Sequence, residues 1–66
     1  MNIEKALKLK KGDIVNCPAD RGDPAYKGEV QSIYTTVHQN IHGTPFIWVH
    51  VRTTGKLSTW PSNRLA

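Results

Sequence analysis

The sequence lacks the covalent and apolar features that usually stabilise or anchor a very small chain. Its 66 residues contain one cysteine, Cys17, so neither an intrachain disulfide nor a zinc site built on paired thiolates is available. The first 13 residues, MNIEKALKLKKGD, are rich in charge and hold no long apolar run, so we expect neither a secretory signal nor a membrane span there. We therefore expect one reduced, cytoplasmic domain over residues 1–66, with no cofactor.

Recognisable catalytic motifs are also missing, whereas positive charge is plentiful. There is no glycine-rich phosphate loop, no nucleophile elbow and no paired-carboxylate arrangement, so the sequence predicts no catalytic residues. Nine Lys and Arg stand against five Asp and Glu, a formal net charge of +4. On so small a surface this excess favours a polyanion such as nucleic acid. The plain alternative is that a modest net charge keeps a small domain in solution.

The N-terminal segment predicts a short helix from Asn2 to Leu9. Asn2 is a good N-cap, and Ile3, Ala6 and Leu7 fall on one face at spacings of three and four residues. Because so short a helix is unstable alone in water, we expect this face to pack against the remainder of the chain.

From Lys11 onward the pattern is that of β-structure. A strand at 14–17 ends at Pro18, and residues 18–26 carry the prolines, glycine and aspartates of a loop. The next predicted strand, at 27–37, breaks strict alternation, which indicates a bulge near Gln31 and Ser32.

The C-terminal half predicts a hairpin followed by a tight turn. Residues 46–52 alternate, Thr54-Gly55 is a hairpin signal, and residues 56–60 form the returning strand. Pro61 then fixes the start of a 3₁₀ turn before Leu65. The predicted core is Val15, Val30, Ile33, Ile47, Val49, Val51 and Leu65, with Trp60 as a large additional apolar side chain.

In order along the chain, GDIV, YKGEVQSI, FIWVHVR, a Thr-Gly hairpin and STWPSNRL resemble the small barrels of the Src-homology-3-like class, which includes Tudor, KOW and chromo-barrel domains. The resemblance covers about Lys11 to Leu65. It implies an all-β, five-stranded Src-homology-3-like small barrel at 11–66, preceded by the short helix within 1–10. Peptide-binding members carry a tyrosine where this chain has Arg64, and this chain lacks their Ala-Leu-Tyr-Asp opening.

The strand at 46–52 supplies the most informative candidate surface. If its aliphatic residues are buried, Trp48 lies outside beside His50 and Arg52, an arrangement typical of a base-stacking platform or a protein-binding hot spot. Alternatively, the N-terminal helix covers Trp48, and the lysines are simply solvated. The candidate nucleic-acid-binding residues are Lys10, Lys11, Lys27, Trp48, His50, Arg52 and Arg64, and we expect weak, backbone-directed binding.

A protein partner is the alternative function. Asp20 and Asp23 lie in the first long loop, where peptide-binding relatives of the resembled class use acidic residues to hold an arginine. Together with Trp48 and Trp60 they form the candidate partner-binding set, although both aspartates are also ordinary turn formers and Trp60 is a natural core residue. The oligomeric state is left open.

Two further possibilities are weaker. His38 and His42 stand four apart with His50 downstream, but their segment is strand and loop in composition, so we predict no metal site. The chain is also similar in size and type to the type II dihydrofolate reductases, which build one active site at the centre of a tetramer. Ser58 and Trp60 replace the glutamine and tyrosine of that family's strand motif, so this remains a remote alternative.

Overall fold

Alternating apolar residues build one antiparallel sheet around a single core, in a computed structural model that describes residues 1–66. The elements are α1 (Ile3–Ala6), β1 (Ile14–Cys17), β2 (Tyr26–Ile33), β3 (His38–Gln39), β4 (Pro45–Phe46), β5 (Trp48–Thr53), β6 (Lys56–Pro61) and a 3₁₀ turn (Ser62–Arg64). The strands of the main sheet follow the order β1-β2-β5-β6, and β3 and β4 form a separate two-stranded ladder.

The core lies on one face of the four-stranded sheet, as the period of two predicts. The register places Val30 opposite Val51 and Val49 opposite Trp60, so these four side chains point to the same side. Val15, Val30, Ile47, Val49, Val51 and Leu65 are buried as predicted, Ile33 packs against them, and Ala6, Cys17 and Trp60 complete the cluster.

Two predicted backbone features are present where the sequence placed them. The register of β2 against β5 shifts between Val30 and Ser32, so Gln31 is the extra residue of a β-bulge. Thr54 and Gly55 join β5 to β6 with positive φ angles of 34° and 76°, the conformation of a tight two-residue hairpin. The bulge lets Val30 and Ile33 both face the core although they stand three residues apart.

The prediction of a closed five-stranded barrel is wrong, since the main sheet has four strands and does not close. After the 3₁₀ turn, Leu65 is buried, and only Ala66 pairs with the outer edge of β1. The Ala66 and Asn16 backbones exchange two hydrogen bonds, of 2.9 and 3.1 Å. One residue pair therefore stands where a fifth strand was predicted.

Three predicted boundaries also differ from the structure. The helix ends at Ala6 rather than Leu9, because the N–H groups of Lys8 and Leu9 bond three residues back and tighten the turn. The second strand ends at Ile33 rather than Val37, where the side chains become exposed. The segment predicted to be loop, 38–45, instead forms most of the β3-β4 ladder, and Asn40 closes its tip by accepting from two backbone N–H groups.

The 3₁₀ turn is fastened to the start of β5 by Ser62. The Ser62 side chain is fully buried, and its hydroxyl oxygen accepts from the Ile47 backbone N–H at 3.1 Å. The Ser62 N–H in turn donates to the Ile47 carbonyl at 2.9 Å. Ser62 therefore satisfies both backbone groups of Ile47 at the point where β4 ends and β5 begins.

Candidate functional site

The outer face of the sheet carries the aromatic and basic side chains that alternation placed there. In β5, Val49 and Val51 are buried, whereas Trp48 and His50 are half-buried and Arg52 is exposed. We call the side of β2, β5 and β6 that points away from the core the outer face. The prediction that Trp48, His50 and Arg52 share one surface is confirmed by this register.

One end of the outer face is a group of aromatic rings. The Tyr34 and His50 rings meet edge to face with centroids 5.0 Å apart, and Phe46 and Trp48 do so at 5.2 Å. His38 stacks on Phe46 at 5.6 Å. Sequence reasoning missed Tyr34 and His38, because Tyr34 joins this surface through the pairing of β2 with β5 and His38 joins it only once the β3-β4 ladder has formed.

Trp48 is not sequestered by the N-terminal helix. The helix lies against β4 and the 3₁₀ turn, its Ala6 is fully buried, and Ile3 packs on the core. Leu7, predicted on the packed face, caps the helix and is 42% exposed. The helix therefore buries its apolar face mainly against the core, and part of the Trp48 ring stays accessible.

The cations of the predicted nucleic-acid set are distributed over several places. Arg52 lies opposite Glu29 on the outer face, and Lys27 is the next outward residue of β2 on the same side. Lys10 and Lys11 lie in the turn before β1, next to β2, where Gly12 donates to the Val30 carbonyl. None of these four cations forms an ion pair with a carboxylate of the chain, since the one such pair involves Arg64.

A groove of about 450 Å³ opens where the sheet fails to close, between the loop at 18–24 and β6. Its floor contains Tyr26 and Trp60, which meet edge to face at 6.3 Å, and the Trp60 indole N–H donates to the Tyr26 hydroxyl at 3.0 Å. The groove is lined by Pro18, Asp20, Asp23, Pro24, Tyr26, Thr53, Lys56, Ser58, Thr59, Trp60, Pro61 and Arg64.

Arg64 crosses one end of this groove. Its guanidinium carbon lies 5.3 Å from the centre of the Trp60 ring, and Nη1 lies 3.7 Å from Oδ2 of Asp20. Arg64 is therefore separated from the other candidate nucleic-acid residues and belongs to the groove. Both side chains of the pair remain nearly half exposed, so the pair is worth at most about 1 kcal/mol.

The structure divides the predicted partner-binding set between two surfaces. Asp20, Asp23 and Trp60 all line the groove, but only 8% of Trp60 is exposed. Trp48 lies on the outer face with its ring against Phe46. A single partner surface that uses both tryptophans is therefore not formed, because Trp48 and Trp60 are on opposite faces of the sheet.

Cys17, which pairs with Tyr26 in the β1-β2 register, is a free, buried thiol. Burial raises the pKa of the Cys17 thiol above its usual range, and a hydrogen bond with the Tyr26 side chain opposes this rise. The three histidines do not form part of any group of three or more His, Cys, Asp or Glu side chains close enough to hold a metal ion. No helix of the chain combines the length and apolarity needed to cross a bilayer.

Comparison with protein-family models, with curated proteins and with solved structures gives no match to this chain. The outer face and the groove are accordingly interpreted from their own chemistry.

Proposed function

We propose that the chain is a non-catalytic binding module whose outer face holds nucleic acid weakly and mainly through its backbone. The observation that carries this proposal is the placement of accessible aromatic rings, Tyr34 and Trp48, on the same uncovered face as Lys27 and Arg52. A single strand laid along the face brings bases to the aromatic end and phosphates to the cationic end. Rings of this kind stack on bases of any sequence.

The magnitudes are those of weak binding. One base stacked on Trp48 contributes about 1–3 kcal/mol. Two phosphate contacts, at Lys27 and Arg52, give a slope of log affinity against log salt of roughly −1.4 on a single strand, and the addition of Lys10 and Lys11 brings it to roughly −2.8. Glu29, which lies opposite Arg52 and two residues from Lys27 in β2, opposes these contacts and is expected to keep the affinity low.

The test is fluorescence anisotropy with labelled oligo-dT and its duplex between about 50 and 200 mM salt. Trp48→Leu is expected to weaken binding to single strands at every salt concentration. Arg52→Gln is expected to reduce the slope by about 0.7. Arg21→Gln removes the same charge from the loop beside the groove and serves as the matched control, with the slope unchanged. Absence of binding at the lowest salt, or equal losses for Arg52→Gln and Arg21→Gln, contradicts the proposal.

We also propose that the chain is a Src-homology-3-like barrel in which the closing strand is minimal. Support comes from the bent second strand, the Thr54-Gly55 hairpin, the 3₁₀ turn after Pro61 and the pairing of Ala66 with Asn16. A cytoplasmic setting is part of this proposal, because Cys17 is a free thiol of the kind that reducing compartments preserve. The reductase alternative is not carried further, since Ser58 and Trp60 do not match that family's motif.

A protein-interaction role is the second candidate function, and the groove is the specific observation that favours it. The groove volume of about 450 Å³ lies within the range of about 300–1,000 Å³ typical of ligand sites. Three of the candidate partner-binding residues line this groove, namely Asp20 and Asp23 on the loop and Trp60 on the floor. Trp48 does not line the groove, so its proposed role is on the outer face alone.

A further inference from the structure

The edge of β6 that faces the groove carries unpaired backbone groups. In an antiparallel pair, alternate residues direct both N–H and C=O toward the neighbouring strand. The Ser62 N–H donates to the Ile47 carbonyl, so the backbone groups of Ile47 point toward the C-terminal segment. The Tyr34 N–H donates to the Trp48 carbonyl, so the backbone groups of Trp48 point toward β2. Extended along β5, this alternation makes Val49 and Val51 the residues that bond to β6.

The register then identifies which groups of β6 are free. Val49 pairs with Trp60 and Val51 with Ser58, so these two β6 residues use their backbone groups on β5. The intervening residues, Leu57 and Thr59, direct N–H and C=O away from the sheet, and no turn or loop of the chain bonds to either of them. The opposite edge of the sheet differs, because the backbone groups of Asn16 in β1 are already hydrogen-bonded to Ala66.

The groove runs along this free edge. Thr59 lines the groove, yet its hydroxyl lies on the outer face, 3.2 Å from Nδ1 of His50. We therefore attribute the contribution of Thr59 to the groove wall to its main chain. The loop on the other side of the groove has few free backbone groups with which an added strand could pair. Asp20 and Asp23 bond to each other's backbones, and Pro18 and Pro24 have no N–H.

We propose that an extended peptide segment of a protein partner adds to β6 as a further antiparallel or parallel strand, inside the groove. This inference rests on the protein-interaction candidate and specifies how the partner is held. Strand addition takes its affinity from main-chain hydrogen bonds and its selectivity from alternate side chains. Here the alternate side chains of the peptide point to the floor at Tyr26 and Trp60, which suits an apolar residue.

The charges of the groove indicate an uncharged segment. Asp20 and Asp23 are offset by Lys56 and Arg64 among the lining residues, so no net charge selects the partner. Peptide binding is therefore expected to change little between low and physiological salt, in contrast to the salt-dependent binding of nucleic acid on the outer face. The Arg64–Asp20 ion pair is itself part of the groove lining.

The experiment uses a displayed library of short random peptides as the probe. The tightest-binding peptide is resynthesised in two versions, each N-methylated on one of its two alternating sets of amides. Strand addition predicts that one version loses affinity about tenfold or more, because its hydrogen bonds to β6 are lost, and that the other is nearly unaffected. Similar losses for both versions overturn strand addition but leave a protein-interaction role intact.

Changes in the chain provide the second arm. Thr59→Pro removes the outward N–H without breaking a bond to β5 and is expected to weaken peptide binding about fivefold or more. Thr59→Val, which also lacks the hydroxyl but keeps the N–H, is the matched control and is expected to bind normally. If Thr59→Pro does not fold, amide exchange of the unchanged protein decides: Leu57 and Thr59 exchange fast when free and become protected by peptide, whereas Ser58 and Trp60 are protected in both states.

Three outcomes overturn the inference directly. The first is a bound peptide that leaves the Leu57 and Thr59 amides unprotected. The second is the absence of any peptide enriched above an unrelated control protein, which removes the protein-interaction candidate as well. The third is protection of these amides by oligo-dT and by no peptide, which assigns the groove to nucleic acid.

Discussion

Gly28 is the position at which the packing of the sheet allows no side chain. It lies in β2 opposite Val15 and is buried. A Cβ added there falls 2.1 Å from Cγ1 of Val51, which is more than an ångström inside ordinary contact. Because Val51 is 1% exposed and held by the core around it, it has no free space into which to turn. Gly28→Ala therefore forces β2 and β5 apart or drives Val51 off its rotamer.

The expected cost is large for a chain of this size. Overpacking of this kind costs about 1–3 kcal/mol, whereas a domain of 66 residues has a free energy of unfolding of about 3–10 kcal/mol in total. The assay is urea unfolding followed by tryptophan fluorescence, with Gly28→Ala, Val51→Ala and the double variant compared in a mutant cycle.

The cycle isolates the clash from the other effects of each substitution. Val51→Ala removes the methyl group that the new Cβ meets, so the double variant is expected to be more stable than the sum of the two single effects by about 0.5–3 kcal/mol. An additive cycle, or a cost of Gly28→Ala below about 0.5 kcal/mol, refutes this account of the packing between β2 and β5.

Three other predictions concern stability. Ser62→Ala leaves the Ile47 N–H without its acceptor and is expected to cost about 1–3 kcal/mol in urea unfolding; a cost within error of zero contradicts the assigned role. Because burial raises the pKa of the Cys17 thiol, the folded state keeps its proton longer, so the unfolding free energy should fall as pH rises past the ordinary thiol pKa of 9.0. Cys17→Ala should remove that component, and an unchanged pH dependence would exclude it. Trp60→Ala should cost about 3–5 kcal/mol and Trp48→Ala about 1 kcal/mol, measured from urea midpoints; the reverse order is incompatible with their burial.

Local chemistry was sufficient to predict the parts of the fold that one stretch of chain determines. Pro18 ends β1 because it cannot extend a ladder, and Thr54-Gly55 gives a two-residue hairpin because Gly55 accepts positive φ. The break in alternation around Gln31 was enough to locate the bulge. In each case the residues that cause the feature are adjacent in sequence.

The features that sequence analysis missed depend on distant segments. The β3-β4 ladder was not predicted, because residues 38–46 show no alternation and contain Pro45. The ion pair between Arg64 and Asp20 requires the loop at 18–24 to lie beside the 3₁₀ turn, a contact between residues 44 positions apart. The outer face was predictable in β5 alone, whereas Tyr34 joins it only through the pairing of β2 with β5.

The bulge at Gln31 affects the shape of the sheet but not which side chains face the core. Without Gln31, Val30, Ser32 and Ile33 would alternate regularly, so the same side chains would still face inward. What would disappear is the bend that a bulge gives a strand. The sheet would then be flatter, with the unpaired backbone groups of Leu57 and Thr59 still exposed along its β6 edge. Flat sheets with open edges associate edge to edge, so we expect the bulge at Gln31 to disfavour pairing between copies of this protein.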